Sequence, residues 1–515
     1  MNVQQLLQDK ANRFTAKPAI IFKGQEISFG QLRENVFKFA NALHSLGVGK
    51  SDKIAIYLPN GPEYIYSYLA IFCLGAVGVP LDYSLKEDEL ISCLGHSETK
   101  FLITQPYSHQ MMFKIKEGVP NLKYIVMNWK VRSFAPGESI FEEGYHYDDI
   151  IMGASRDFQE TVIAEYDPAL IMYTSGTTGK PKGILLNYKH LAGSPKAMKY
   201  FVDLTERDIK LSALPFSHIA GLIYIQNCIT FGITLIIMDR FNPFEFLRLI
   251  QQYKVTCFHV VPAMYIAFLS VKGIEQFDLS SLRWVVVFGA PSSPDILKKF
   301  HQFCPKAHFL NGWGMTETCP PNTVTPLGSN KIESIGKPSP HCEIKIFDEN
   351  DNPLSTGEIG EIVIKGWTVM AGYYKDEPIT KELMKNGWFH TGDLGRFDEE
   401  GYLYIVGRKK EMIKVGGQIV YAPEVETALL KHEAVAEAAV IGVPDKLRGE
   451  SVKAYVVLKE NGKLSGEDLR YFAREHLAHF KVPHVIDIRE SLPKNRTGKI
   501  DKELLKQETM EITSR

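Results

Sequence analysis

The stretch Tyr173-Thr-Ser-Gly-Thr-Thr-Gly-Lys-Pro-Lys-Gly183 sets three glycines, four aliphatic hydroxyls and two lysines between two apolar segments. Gly176, Gly179 and Gly183 let the backbone turn sharply and approach a ligand closely. The hydroxyls of Thr174, Ser175, Thr177 and Thr178, with the backbone N–H groups between them, can wrap a polyphosphate. Lys180 and Lys182 add charge that favours an anion. A flexible surface loop rich in turn formers is the plainer reading of the same composition. A Walker A loop is excluded, because it needs G-x-x-x-x-G-K-[ST]. Here only two residues separate Gly176 from Gly179, and Pro181 after Lys180 removes the N–H that would open a helix.

On either side of this loop, short apolar runs alternate with helical patterns. Phe29–Leu46 repeats apolar residues at helical spacing (Leu32, Val36, Phe39, Ala40, Leu43) and stops at Gly47. Lys53–Leu58 and Ala76–Leu81 read as strands around a helix at Glu63–Leu74. The strand reading continues through Phe101–Thr104, Tyr124–Met127, Ala169–Tyr173, Leu211–Leu214, Thr234–Met238, Cys257–Val261 and Trp284–Phe288. Such alternation predicts an α/β fold with doubly wound, largely parallel sheets. Ligands in such folds sit beyond the carboxyl ends of strands, where the loop and Gly289-Ala290-Pro291 both lie. From about residue 335 the texture changes to short strands (Glu343–Phe347, Gly360–Lys365, Tyr402–Val406), predicting a small β-barrel-like subdomain. A basic, glycine-dotted segment from Gly407 to Gly417 then precedes about a hundred residues of α+β character.

The bulk properties narrow the function class. The 515 residues suffice for two or more domains, and 45% hydrophobic with 23% charged is an ordinary globular composition. Lys plus Arg (59) nearly equals Asp plus Glu (60), so no net charge draws the chain to nucleic acid or anionic lipid. Seven scattered cysteines without a C-x-x-C pair read as thiols of a reducing compartment, not as a disulfide framework or zinc site. No signal-peptide pattern, 18-residue apolar run or terminal S-K-L occurs, so the expectation is a cytoplasmic protein without a transmembrane segment.

Three further clusters accompany the loop: Asn311-Gly-Trp-Gly-Met-Thr-Glu-Thr318, Gly387-Trp-Phe-His-Thr-Gly-Asp-Leu-Gly395, and Leu492-Pro-Lys-Asn-Arg-Thr-Gly-Lys-Ile500. Taken singly, Trp313 reads as core filler, Asp393 as a turn former and Lys499 as a solvated charge. In this order, from about residue 20 to the end, they resemble the adenylate-forming superfamily of acyl-CoA synthetases, beetle luciferases and peptide-synthetase adenylation domains. Gly357-Glu-Ile-Gly-Glu-Ile-Val-Ile-Lys-Gly366 and Gly442-Val-Pro-Asp-Lys-Leu-Arg-Gly-Glu450 strengthen the match.

The resemblance implies a role for each matching position. Thr174, Ser175, Gly176, Thr177, Thr178, Gly179, Lys180 and Lys182 would clasp the β- and γ-phosphates of ATP, with Thr174 and Glu317 near Mg2+. Gly289, Ala290, Pro291, Asn311 and Gly312 would line the adenine pocket, Trp313 would stack on the base, and Gly314, Met315 and Thr316 would complete the nucleotide wall. Asp393 would accept hydrogen bonds from the ribose hydroxyls, and Arg408 would support ribose or phosphate. Lys499 would bridge acyl and phosphate oxygens as the catalytic cation. His218, within Leu214-Pro-Phe-Ser-His-Ile-Ala-Gly221, would gate or orient the acid, with Ala220, Gly221 and Gly314 bordering the acyl group. Lys410 matches the family's hinge, and Gly416 and Gly417 would flank the pantetheine arm of CoA. The implied domains are 1–407, a hinge at 408–410 and a mobile 411–515. Tyr421-Ala-Pro-Glu424 departs from the family by placing Pro423 directly before the glutamate.

The activity so implied is ATP-dependent formation of acyl-AMP and transfer to CoA. No carboxylate stands between Pro215 and Gly221 to hold an α-amino group. Gly314, where acetate-activating relatives carry tryptophan, reads as room for a medium- or long-chain fatty acid, with an aromatic acid next. The alternatives are an enzyme that loads a carrier protein and a non-catalytic nucleotide-binding regulator. Luciferase-type oxidation has no specific support in these motifs.

Overall fold

A computed structural model describes residues 2–105, 109–127, 144–174, 182–289, 294–445, 447–459, 464–494 and 500–513. The chain divides into two units. One is Met1–Glu343 with Ile364–Phe389, and the other is Ile344–Val363 with His390–Arg515.

The larger unit holds two extended sheets. In the first, eight strands run in the order Gly372–Tyr373, Lys182–Asn187, Pro168–Thr174, Val77–Pro80, Lys53–Tyr57, Phe101–Thr104, Lys123–Val126, Tyr145–His146. Its centre is parallel, and Ile54, Ala55 and Ile56 are fully buried, as expected for strands covered on both faces. The second sheet has nine strands. Parallel His308–Trp313, Trp284–Val287, Cys257–Val260, Ile209–Ser212, Thr234–Ile237 and Pro18–Phe22 form its body. The last of these and its antiparallel neighbour Gln25–Ser28 are additions to the strands expected from the sequence.

The helices follow their local signals. Phe29–Ser45 opens with a capping box in which Ser28 and Gln31 satisfy each other's backbone N–H. It buries the expected stripe of Leu32, Val36, Phe39, Ala40 and Leu43, and the chain leaves it through Gly47 at φ 85°. Pro62–Cys73 begins with proline at its first position and is buried along almost its whole length. Among the described residues, no helix is long and apolar enough to cross a membrane.

A third, five-stranded sheet forms the curled half-barrel expected after residue 335. Cys342–Phe347, Gly360–Gly366, Trp388–Phe397 and Met384–Lys385 follow in order, with Leu403–Arg408 paired to Trp388–Phe397. The division between the two units falls within these strands.

The smaller unit also contains the C-terminal α+β region. Long antiparallel strands Val435–Asp445 and Gly449–Leu458 carry Met412–Val415, Gln418–Tyr421 and a parallel Val485–Arg489. One face packs Val440, Val452, Ala454 and Val456 against Val425 and Leu429 of Ala422–Leu430 and Leu469 and Ala473 of Gly466–His476. The other packs Ala439, Ile441 and Tyr455 against Leu505 of Lys502–Thr513. Pro423 falls within the first turn of Ala422–Leu430, where no intrahelical N–H is needed, so its shifted position fits.

Candidate active site

The strands on either side of the hydroxyl- and glycine-rich loop, Pro168–Thr174 and Lys182–Asn187, pair antiparallel. Tyr173 pairs with Gly183 and Thr174 with Lys182. Ser175, Gly176, Thr177, Thr178, Gly179 and Lys180 lie outside the described residues, as do Ala290, Pro291 and Lys499. The base of this strand pair is built in detail. The Tyr173 hydroxyl lies 2.8 Å from His96 Nδ1 and donates to the Cys93 carbonyl at 3.1 Å. A Cβ on Gly183 would fall 2.8 Å from Ile171 Cγ2, so glycine there is a packing requirement.

A third strand ties this base to the Thr-Glu pair. Gly372–Tyr373 pairs with the second strand of that pair, and Tyr374 donates its N–H to the Gly183 carbonyl at 2.7 Å. The Tyr373 hydroxyl then lies 3.1 Å from Glu317 Oε1, while Glu317 accepts the Met370 N–H at its own carbonyl, at 2.8 Å. Burial pushes the Tyr373 phenol well above the usual tyrosine range, and the Glu317 charge adds to it. Tyr373 therefore stays a neutral donor. It carries no motif of its own; only the strand pairing reveals it.

Asn311, Gly312 and Trp313 end the strand His308–Trp313 and are buried. The Asn311 side-chain amide donates to the Ile332 and Ser334 carbonyls, so its nitrogen is engaged in bracing the following loop. A Cβ on Gly312 would lie 2.1 Å from Phe288 Cε1. Gly289, at φ 90°, follows that phenylalanine at the carboxyl end of the neighbouring strand. Half-buried Gly314, Met315, Thr316 and Glu317 continue into a 3-10 turn.

Gly314 has a different role from the one expected. A Cβ there would meet Pro320 Cβ at 2.5 Å and Asn322 Oδ1 at 2.7 Å. The space a side chain would take is already filled by the chain's own turn. Glycine at this position is required by packing.

His218 stands at the N-terminal boundary of the helix Ile219–Phe231, half-buried, with Ala220 beside it. Gly221 is obligatory, since a Cβ would lie 2.2 Å from the Pro215 carbonyl oxygen. His218 is not alone: its Nε2 lies 3.5 Å from Asp82 Oδ2. Burial raises the Asp82 pKa, but hydrogen bonds from His218 and from the Ser84 hydroxyl and backbone outweigh this and hold the carboxyl well below its usual range. Asp82 has no motif to mark it, because it lies 136 positions from His218, in the loop after Val77–Pro80.

In the smaller unit, Asp393 pairs in register with Arg408, and Arg408 Nε reaches Asp393 Oδ1 at 2.9 Å. The neighbouring Lys409 bonds Glu361 at 2.9 Å, and Glu361 also lies 3.1 Å from His390 Nδ1. Lys410, the next residue, is exposed. Gly416 and Gly417 form a two-residue hairpin loop at φ 57° and 85°, a turn that glycine adopts without strain. No heavy atom lies within 4 Å of a Cβ built on either, so backbone conformation is the demand at this turn.

No cluster of three or more His, Cys, Asp or Glu side chains suited to a metal occurs among the described residues. Mg2+ in nucleotide sites takes only one or two carboxylates and fills its shell with phosphate and water oxygens. The single oriented carboxylate of Glu317, tied through Tyr373 to the strands flanking the loop, fits that ion.

Comparison with known proteins agrees with this arrangement. Residues 7–374 match the AMP-binding enzyme family and 424–499 the AMP-binding enzyme C-terminal domain. A long-chain-fatty-acid–CoA ligase of Bacillus subtilis is 34% identical, over 98% of this chain and 94% of that protein. A 2-succinylbenzoate–CoA ligase of Bacillus licheniformis is also 34% identical, over 96% and 97%. The structure of ATP-bound MatB from Rhodopseudomonas palustris aligns with TM-score 0.89 at 28% identity, covering 99% of this chain and 100% of that one. With its half-barrel and α+β C-terminal region, the chain belongs to the AMP-binding, adenylate-forming enzyme family and is related to the acyl-CoA synthetases.

Proposed function

We propose that this chain is an AMP-forming acyl-CoA synthetase. It joins a carboxylic acid to ATP as acyl-AMP with release of pyrophosphate, then passes the acyl group to the thiol of CoA with release of AMP. The observation that carries this reading is the link through Tyr373 to Glu317, which ties a carboxylate to the strands flanking the loop that would hold the leaving pyrophosphate.

In the first step a carboxylate oxygen attacks the α-phosphorus, so two anions must meet and positive charge must stand between them. Lys182 and Lys180 steady the phosphates, and Lys499 bridges the acyl and phosphate oxygens. Mg2+ held by Thr174 and Glu317 would neutralise pyrophosphate charge. His218, oriented by Asp82, borders the acid, and Asp393 receives the ribose hydroxyls with Arg408 alongside.

In the second step residues 411–515 turn about 408–410 relative to 1–407, and Gly416 and Gly417 face the pantetheine arm. The acid is a medium- or long-chain fatty acid first and an aromatic acid second; the apolar helix after His218 suits either, and relatives of both kinds are at hand. The setting is the cytoplasm, where unpaired cysteines stay reduced.

Pyrophosphate release measured over short- to long-chain and aryl acids, with CoA, a carrier's phosphopantetheine or neither, tests the reading. Acid-dependent release with thioester formed on CoA is expected. Thioester on the carrier alone would reassign the acceptor, and no release with any acid would leave a nucleotide-binding regulator. Lys410→Pro should retain adenylate formation and lose thioester formation; an equal fall in both would overturn the hinge.

A further inference from the structure

One face of the nine-stranded sheet carries polar groups that the chemistry above does not use. Side chains alternate along strands, so Lys210 and Ser212 share this face with Cys257, His259, Trp284 and Phe288. Lys210 has no exposed surface. Its Nζ lies 3.3 Å from His259 Nε2, and 4.6 and 5.3 Å from the ring centres of Tyr224 and Trp284. Among the described residues it forms no ion pair with a carboxylate. Asp208, on the same stretch of chain, is taken by Arg283 at 2.5 Å.

The remaining groups are short of acceptors. Burial and the neighbouring Lys210 hold His259 neutral. An imidazole that accepts from Lys210 at Nε2 carries its proton on Nδ1. That Nδ1 is buried without a hydrogen-bond partner among the described residues, and so are the Trp284 indole nitrogen and the Ser212 hydroxyl. Lysine and indole only donate. Buried donors left unpaired are uncommon enough to need a partner of their own.

The patch lies next to the acyl side of the site. His259 pairs with Val286, and Phe288 stands two residues further along, about 7 Å toward the carboxyl edge. The Phe288 ring meets His259 edge-on at 5.4 Å and closes against Gly312. Tyr224, whose hydroxyl accepts the backbone N–H of His259, belongs to the helix that begins after His218.

The geometry points to a distal recognition site: Lys210 and His259 bind an oxygen acceptor, a second carboxylate or a phenolic oxygen, at the far end of the acid. This deepens the acyl-activating reading and rests on it. Lys210 and His259 act on which acid is accepted and leave the reacting carboxylate to the groups already described.

The test is acid-dependent pyrophosphate release on matched acids: octanoate against octanedioate, and 3-phenylpropanoate against 3-(4-hydroxyphenyl)propanoate. Wild type, Lys210→Met and His259→Phe are compared, each with a thermal melt. In at least one pair, wild type should favour the acid with the distal oxygen by at least about tenfold in kcat/KM. Lys210→Met should erase that preference through KM while still turning over the plain acid. If Lys210→Met does not fold, the same ratio in His259→Phe decides. A wild-type preference for the plain acid in both pairs, or a ratio unchanged by the variants, overturns the distal site alone. No release with any acid overturns the acyl-activating reading and this site together.

Discussion

Lys210 in the larger unit is buried and Lys502 in the smaller is largely buried, and their surroundings drive them in opposite directions. Lys502 Nζ lies 2.9 Å from Glu411 and 2.8 Å from Glu426. Burial lowers its pKa, but the two carboxylates more than compensate and the net shift is upward. Lys210 has rings and a neutral imidazole around it, and burial brings its pKa down to about 8. A buried cation with two carboxylates is closed on itself and serves the fold. Lys210 has no carboxylate at ion-pair distance among the described residues, so burial of its charge is uncompensated there.

The largest expected effect concerns a third lysine, Lys499, which the proposed reaction sets against the acyl and phosphate oxygens. Lys499→Ala should lower acid-dependent pyrophosphate release by roughly 10²–10³-fold, the usual loss of one preorganised charge contact, with an unchanged melting temperature. A large drop in melting temperature would class it with Lys502 instead.

The two buried lysines should also give opposite pH dependences. Between about 8 and 10.5 the unfolded chain keeps a proton on residue 210 that the folded chain has lost, so stability rises with pH there. The rise is up to about 3 kcal/mol and should be absent from Lys210→Met in urea unfolding followed across that window. Lys502 is raised in the folded state, so its contribution is complete below about 10.5 and fades as pH climbs through the higher folded value. Lys502→Met should cost roughly 3 kcal/mol near neutral pH, because it strands two partly buried carboxylates. Equal pH slopes for the two variants would break the contrast.

The smallest effect belongs to the carboxylate side of the site. Tyr373→Phe removes one neutral donor from Glu317 and should slow pyrophosphate release about tenfold, the worth of a hydrogen bond to a charged group. An unchanged rate would mean that Glu317 holds its place without the hydroxyl.

How much could be read along the chain depended on whether neighbours in sequence were also neighbours in space. Hydrophobic spacing placed Phe29–Ser45 and the buried strands within a residue or two, because burial of a stripe or a run is a local pattern. The strand read as beginning at Leu211 begins at Ile209. Lys210 interrupts the apolar run, and a lysine in a strand reads as an end until the sheet encloses it. Gly314 failed for a related reason: which atoms a missing Cβ would have met depends on Pro320 and Asn322 folding back. Tyr373 and Asp82 had no signal at all, since each acts through one partner far away in the chain.

The sequence by itself determined the family, because its motifs stand in one order along the chain, and it proposed a phosphate loop, because glycines, hydroxyls and lysines must lie within one short segment for a backbone to wrap an anion. Only the tertiary structure decided that the strands flanking the loop pair antiparallel, that Tyr373 links them to Glu317, and that Asp82 faces His218. It alone enclosed Lys210 with no carboxylate at ion-pair distance among the described residues. These are outcomes of strand order and sheet face, which bring distant positions into contact and leave no trace in local spacing.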